Sequence, residues 1–203
     1  LSAPPLTPLK RSFYERSASR VAPDLLGHWL LRREPSGWTG GPIVETEAYL
    51  AKDAACHAAN GPTRRNRTMF GPPGMAYVYF IYGVHYCVNA VCLPPGHGEA
   101  VLIRAIEPRL LPDVMRQKRR APPDQVSNGP GKLCAALAIN LSLNGADLCD
   151  LSGGLVIVKD TSRPRLKSAL GPIVTATRVG ITKAADLPLR FYLASSEWVS
   201  RRD

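Results

Sequence analysis

Apolar and polar residues alternate from Ile43 to Tyr49, which predicts a strand whose Val44, Thr46 and Ala48 pack inward while Glu45, Glu47 and Tyr49 share the other face. Leu30–Arg33 pairs with Gly41–Tyr49 across the Pro35-Ser36-Gly37 turn. Tyr77–Tyr82 and His85–Val91 are rich in aromatic and β-branched residues and read as a hairpin turning around Gly83. Ala100–Ile106, Leu155–Lys159, Ile173–Arg178 and Leu189–Leu193 predict further strands. Helix is expected from near Ser12, within Ser19–Trp29, over Pro112–Arg120, and over Leu133–Ile139 after the loop Ser127–Lys132. Residues 1–10 carry three prolines and little periodicity, so an irregular arm is expected ahead of a single domain over 11–203.

Length agrees with one domain, since 203 residues bury roughly 70% of the unfolded surface and need no disulfide or metal to fold. The net charge of +10 changes the picture more, because it points to a polyanion such as nucleic acid. No apolar run approaches the roughly 18 residues of a membrane span, and no signal peptide is read, so no membrane role is expected. The five cysteines, odd in number and in mostly apolar contexts, predict reduced thiols inside a cell: bacterial cytoplasm or nucleoid, or a eukaryotic nucleus. His85, Cys87, Cys92 and His97 raise the question of zinc, but there is no tight CxxC or HxxxH pair, and no metal or other cofactor is expected.

Against this background several side chains are out of place. Glu45, Glu47 and Tyr49 make a poor core face and a good catalytic wall. Arg104, set among Leu102 and Ile106, requires an anion if buried. Arg64, Arg65 and Arg67 lie in the polar stretch Ala51–Met69, which is either a solvated loop or a phosphate clamp. Tyr82 puts a ring at a hairpin tip, where small polar residues are usual; it either folds back on the sheet or wedges between stacked bases. Lys132 closes a Gly-Pro-Gly-Lys loop that lacks the spacing of a nucleotide-binding P-loop.

Ile43-Val44-Glu45-Thr46-Glu47-Ala48-Tyr49, His57, Arg65-Asn66-Arg67, Tyr77-Val78-Tyr79 through Asn89, Asn128 to Cys134 and Pro188 to Tyr192 together resemble the alkyladenine (3-methyladenine or methylpurine) DNA glycosylase family, in order from about Leu9 to Ser200. The resemblance implies an α+β domain with a curved antiparallel sheet, surrounding helices and a protruding hairpin that enters the DNA minor groove. It implies that Glu47 is the general base acting on water and that Arg104 helps hold that water. Tyr82 would fill the gap left by the flipped nucleotide, Tyr49, His57 and Tyr79 would sandwich the extruded base, and Asn89 would disfavour the guanine amino group. The implied activity is hydrolysis of the N-glycosidic bond of 3-methyladenine, 7-methylguanine, hypoxanthine or ethenoadenine in double-stranded DNA, by a monomer. Arg64, Arg65, Arg67 and Lys132 are expected at the DNA backbone. The Tyr49–His57 loop is one residue shorter than the family form. Two rival classes are weighed: a non-catalytic DNA-binding protein that uses the basic surface and Tyr82, and a zinc deaminase, whose H-x-E and P-C-x-x-C signatures are absent.

Overall fold

The computed structural model describes residues 4–161 and 163–202; the first three residues of the expected arm lie outside them. In chain order the elements are α1 (Arg11–Tyr14), α2 (Ala18–Leu25), β1 (Trp29–Glu34), β2 (Gly37–Tyr49), β3 (Ala76–Ile81), β4 (His85–Cys92), β5 (Glu99–Ile106), α3 (Pro112–Arg119), α4 (Pro130–Ala136), β6 (Leu155–Val158), α5 (Arg163–Leu170), β7 (Ile173–Ala176) and β8 (Arg190–Leu193). The strands form one mixed α+β domain's antiparallel sheet in the order β3-β4-β5-β2-β1-β6, with β8 pairing to both β2 and β7. Among the described residues no helix is long and apolar enough to cross a membrane.

β2 is the axis of the molecule. Its first half pairs with β1, while its second half takes β5 on one side and β8 on the other. The crossing is tight: a Cβ on Gly40 would lie 2.1 Å from the Leu30 carbonyl oxygen, and one on Gly41 1.8 Å from that of Glu107. Only glycine fits such an approach. The register with β5 then shifts on both sides of Glu45. Bulges of this kind bend a strand and re-aim its side chains.

The two faces of the sheet have separate fates. Val44, Ala48, Val78, Val88, Val101 and Ile103 pack with α2 and α4 in the main core, and the Thr46 hydroxyl donates to the Ala22 carbonyl at 2.9 Å. The opposite face carries Glu45, Glu47, Tyr49, Tyr77, Tyr79 and Arg104. It is covered in part by the 50–70 segment, where Cys56, Ala58 and Met69 form a smaller cluster with Tyr77, Val91 and Ala100. Both faces of β2 are therefore buried, Glu45 and Glu47 included.

β3 is an edge strand, and its exposed ladder is blocked. The Val78 N–H donates to the Asn144 Oδ1 at 3.1 Å, the Ala76 N–H to the Ala146 carbonyl at 2.8 Å, and the Phe80 carbonyl accepts from Arg65 at 3.0 Å. Such capping removes a template for edge-to-edge aggregation.

Most elements fall where the periodicity predicts, with shifted ends. α4 begins at Pro130 rather than Leu133, because proline suits the first turn of a helix. β1 and β2 run further toward their turn than expected, to Glu34 and from Gly37. α5 has no counterpart among the predicted elements. Residues 4–10 are irregular, yet the Leu9 N–H donates to the Ile157 carbonyl at 2.9 Å and docks that end of the arm on β6.

Candidate active site

Arg104 stands at the centre of the buried charges. Its Nε lies 3.0 Å from Glu45 Oε1 and its Nη1 3.2 Å from Glu47 Oε1, while Nη2 donates to the Ser200 hydroxyl at 3.1 Å. Burial by itself would lower the arginine pKa, but the Glu47 and Glu45 carboxylates beside it raise it above the ordinary value. The bulge at Glu45 and the alternation of β2 are what bring both acids to this one cation.

The two glutamates differ in what is left over. Glu45 Oε1 also accepts from Arg190 at 3.1 Å and from the Ser200 hydroxyl at 2.9 Å, and its Oε2 accepts from the Ser200 N–H at 2.7 Å. With that many donors it is a structural anion. Glu47 Oε1 accepts from the Val179 N–H at 2.8 Å besides facing Arg104, whereas Oε2, among the described residues, accepts only the Tyr49 hydroxyl, at 2.9 Å. One acceptor position on Oε2 remains for a further donor such as water. Burial, then the neighbouring Glu47, push the Tyr49 phenol far up, so it stays protonated and keeps donating.

Beside this cluster opens a cleft with an empty volume of about 460 Å³, lined by Tyr49, His57, Tyr77, Tyr79 and Asn89 together with Met69 and Ile181. The four residues expected at a base pocket thus meet in one cavity. His57 packs edge-on against Tyr79 with ring centroids 4.5 Å apart, and its Nδ1 lies 3.0 Å from the Tyr77 hydroxyl. Burial against the rings, then the positive charge of Arg65, lower the His57 pKa, which keeps the ring neutral at pH 7. The Tyr77 phenol is pushed up to about 12 by burial. The Asn89 amide nitrogen donates to the Tyr77 carbonyl at 3.0 Å across the hairpin, fixing the side chain in the wall.

A second cavity continues from the first and is lined by Tyr49, Tyr79, Tyr82, His85, Arg104 and Pro130, among others. At its rim the hairpin turns through Tyr82 and Gly83 with φ of 53° and 70°, and the Val84 N–H returns to the Ile81 carbonyl at 3.3 Å. Positive φ at both central residues is the usual hairpin turn, but a tyrosine in the first of them is strained. The ring does not fold back: Tyr82 is 77% exposed, and Phe80 and Val84 beside it are exposed as well. Strain and exposure at one aromatic side chain point to function.

Arg64, Arg65 and Arg67 are exposed, and Arg64 and Arg65 line a groove along the outer side of β3. Lys132, in the first turn of α4, donates to Asn128 Oδ1 at 3.0 Å. Among the described residues no three His, Cys, Asp or Glu side chains are grouped so as to hold a metal. Cys87 lines the second cavity, while the Cys92 thiol turns to the Ala90 carbonyl and His97 to that of Pro94.

Sequence reading missed part of the site. Arg190 shares Glu45 with Arg104; it stood inside the predicted strand Leu189–Leu193 and the Pro188–Tyr192 stretch of the resemblance but was given no role. Tyr77 was signalled by its spacing of two from Tyr79. Val179 and Ile181 come from the loop before β8, where no pattern marked them.

Comparison with known proteins gives the family. Residues 12–197 match the family model of methylpurine-DNA glycosylase. A protein of Methanoculleus marisnigri is 54% identical over 96% of this chain and 99% of its own, and one of Carboxydothermus hydrogenoformans is 46% identical over the same shares. A third, from Rhodopseudomonas palustris, is 47% identical over 98% of this chain and 91% of its own. All three are provisionally named 3-methyladenine DNA glycosylase. With an arginine-bound acid beside an aromatic cleft and matches that run almost end to end, the chain belongs to the methylpurine-DNA glycosylase family.

Proposed function

We propose that the protein is a monofunctional DNA glycosylase of base-excision repair, acting as a monomer on duplex DNA and releasing 3-methyladenine, 7-methylguanine, hypoxanthine or ethenoadenine. The observation that carries this reading is the buried Glu47, whose Oε2 accepts the hydroxyl of Tyr49, a wall residue of the cleft that also holds His57 and Tyr79. A flipped purine stacks between such rings, and an alkylated, cationic one does so best. Asn89 crowds the purine 2-position and disfavours the guanine amino group.

In the chemical step Glu47 takes a proton from water as the water oxygen bonds to the sugar C1′. The C1′–N bond breaks and its electron pair leaves with the base. A base alkylated at a ring nitrogen leaves neutral; an uncharged lesion leaves as an anion and needs a proton. Among the described residues no lysine lines either cavity, which favours water over an amine for the displacement. The deciding experiment incubates the protein with methylated duplex and measures free base and abasic sites. Binding without release would favour the architectural reading, in which an acid at a DNA-facing site has no use. EDTA is expected to leave release unchanged, and borohydride to trap no protein–DNA adduct. Strong inhibition by the chelator, or a trapped adduct, would contradict the water mechanism.

Tyr82 is the wedge in this reading. Extruding a base costs a few kcal/mol, and a ring in the vacated space offsets part of that. Tyr82→Ala should lower the flipped fraction of an ethenoadenine duplex in stopped-flow fluorescence and slow excision most for well-paired lesions. Nonspecific affinity and its salt dependence, set by Lys and Arg on phosphate, should hardly change. Stable flipping by the variant would make Tyr82 a surface residue without this role.

A further inference from the structure

Arg178 and Asp53 form an ion pair whose side chains are 0% and 1% exposed. The guanidinium carbon lies 4.7 Å from the centroid of the Tyr49 ring. Tyr49 lines both cavities and Arg178 neither, so the cation sits on the side of the ring turned away from them. Two backbone bonds fix it there: Nη1 to the Ala48 carbonyl and Nη2 to the Ala184 carbonyl, both at 3.1 Å. Asp53 is fixed in turn, its Oδ1 accepting from the Ala55 N–H at 2.9 Å in the loop that forms the cleft wall.

An uncompensated cation in this position would work against a positively charged purine in two ways. It would draw the π electrons of Tyr49 away from the cavity face, weakening cation–π attraction there. It would also repel the base through space, across roughly 8 Å if the base stacks on the opposite face of the ring. The buried charges around the site are otherwise matched: Glu45, Glu47 and Asp53 stand against Arg104, Arg178 and Arg190. Removing the Asp53 charge leaves one net positive charge behind the stacking ring.

We propose that Asp53 is a specificity-determining residue, which by neutralising Arg178 behind Tyr49 allows the cleft to hold a positively charged base. The proposal rests on the glycosylase reading and is tested by affinity alone, so that absence of base release by the wild type would refute that reading separately. Affinities are measured in a Glu47→Gln background for duplexes containing 7-methylguanine, which is cationic, ethenoadenine, which is neutral, and no lesion. Adding Asp53→Asn should weaken binding of the 7-methylguanine duplex by about tenfold, the scale of one unit charge at that separation with partial screening. The other two affinities should stay within about twofold. Combining Arg178→Met with Asp53→Asn removes both charges and should return the cationic-to-neutral ratio close to that of the background protein, even where absolute affinities fall. Equal weakening of all three duplexes, an unchanged 7-methylguanine affinity, or a ratio that the double substitution fails to restore would overturn the proposal.

Discussion

Glu47→Gln is expected to slow base release on the order of 10²-fold or more while leaving lesion binding close to wild type, as befits the loss of a general base. The amide oxygen can still accept from Val179 and face Arg104, so the wall of the cleft persists. What disappears is the anionic acceptor at Oε2. An amide nitrogen there donates instead of accepting, and the Tyr49 hydroxyl, which donates to that oxygen at 2.9 Å, must turn round. Neither arrangement takes a proton from water. Single-turnover release on methylated duplex, with affinity measured alongside, checks the split; release near the wild-type rate would remove Glu47 from the chemistry.

Glu45→Gln should act on the fold first. Glu45 is the shared anion of Arg104 and Arg190, whose side chains are 6% and 0% exposed, and both Ser200 donors point at it. Taking the charge from a buried pair costs about 3–5 kcal/mol. Arg104 would keep Glu47, and Arg190 would keep the Thr177 and Arg201 carbonyls, both at 2.7 Å, so what is lost is the charge that ties both arginines and Ser200 to one point. Urea unfolding should therefore show Glu45→Gln far less stable than Glu47→Gln. Stabilities of the two variants within about 1 kcal/mol of each other would mean that the double ion pair does not organise the site. Excision should fall in both, in Glu45→Gln because Arg104 loses its anchor.

Much of the frame was legible because it is written in local period. The alternation over Ile43–Tyr49 placed both acids and Tyr49 on one face, and the aromatic runs around Gly83 placed Tyr82 at a hairpin tip, because side chains on a strand alternate whatever lies around them. The need of Arg104 for an anion followed from its apolar neighbours and held for the same reason. α5 went unread: Arg163–Leu170 carries no clear apolar stripe. The loop with Arg178, Val179 and Ile181 went unread too, since nothing in Thr177–Leu187 shows that it folds back over Tyr49.

By itself, then, the sequence determined which residue types share a face and where the chain turns, since these depend on neighbours one to four positions away. The alternation could not separate Glu45 from Glu47, two acids on one face of one strand; Glu47 was singled out only by the family resemblance. What the tertiary structure decides is the set of partners around each. Donors from β5, β8 and the C-terminal segment, up to 155 positions away, fill Glu45, while the 177–187 loop supplies one N–H to Glu47 and leaves its Oε2 to the Tyr49 hydroxyl. Buried charges take their roles from the partners that surround them, and those partners are assembled only when distant strands pair.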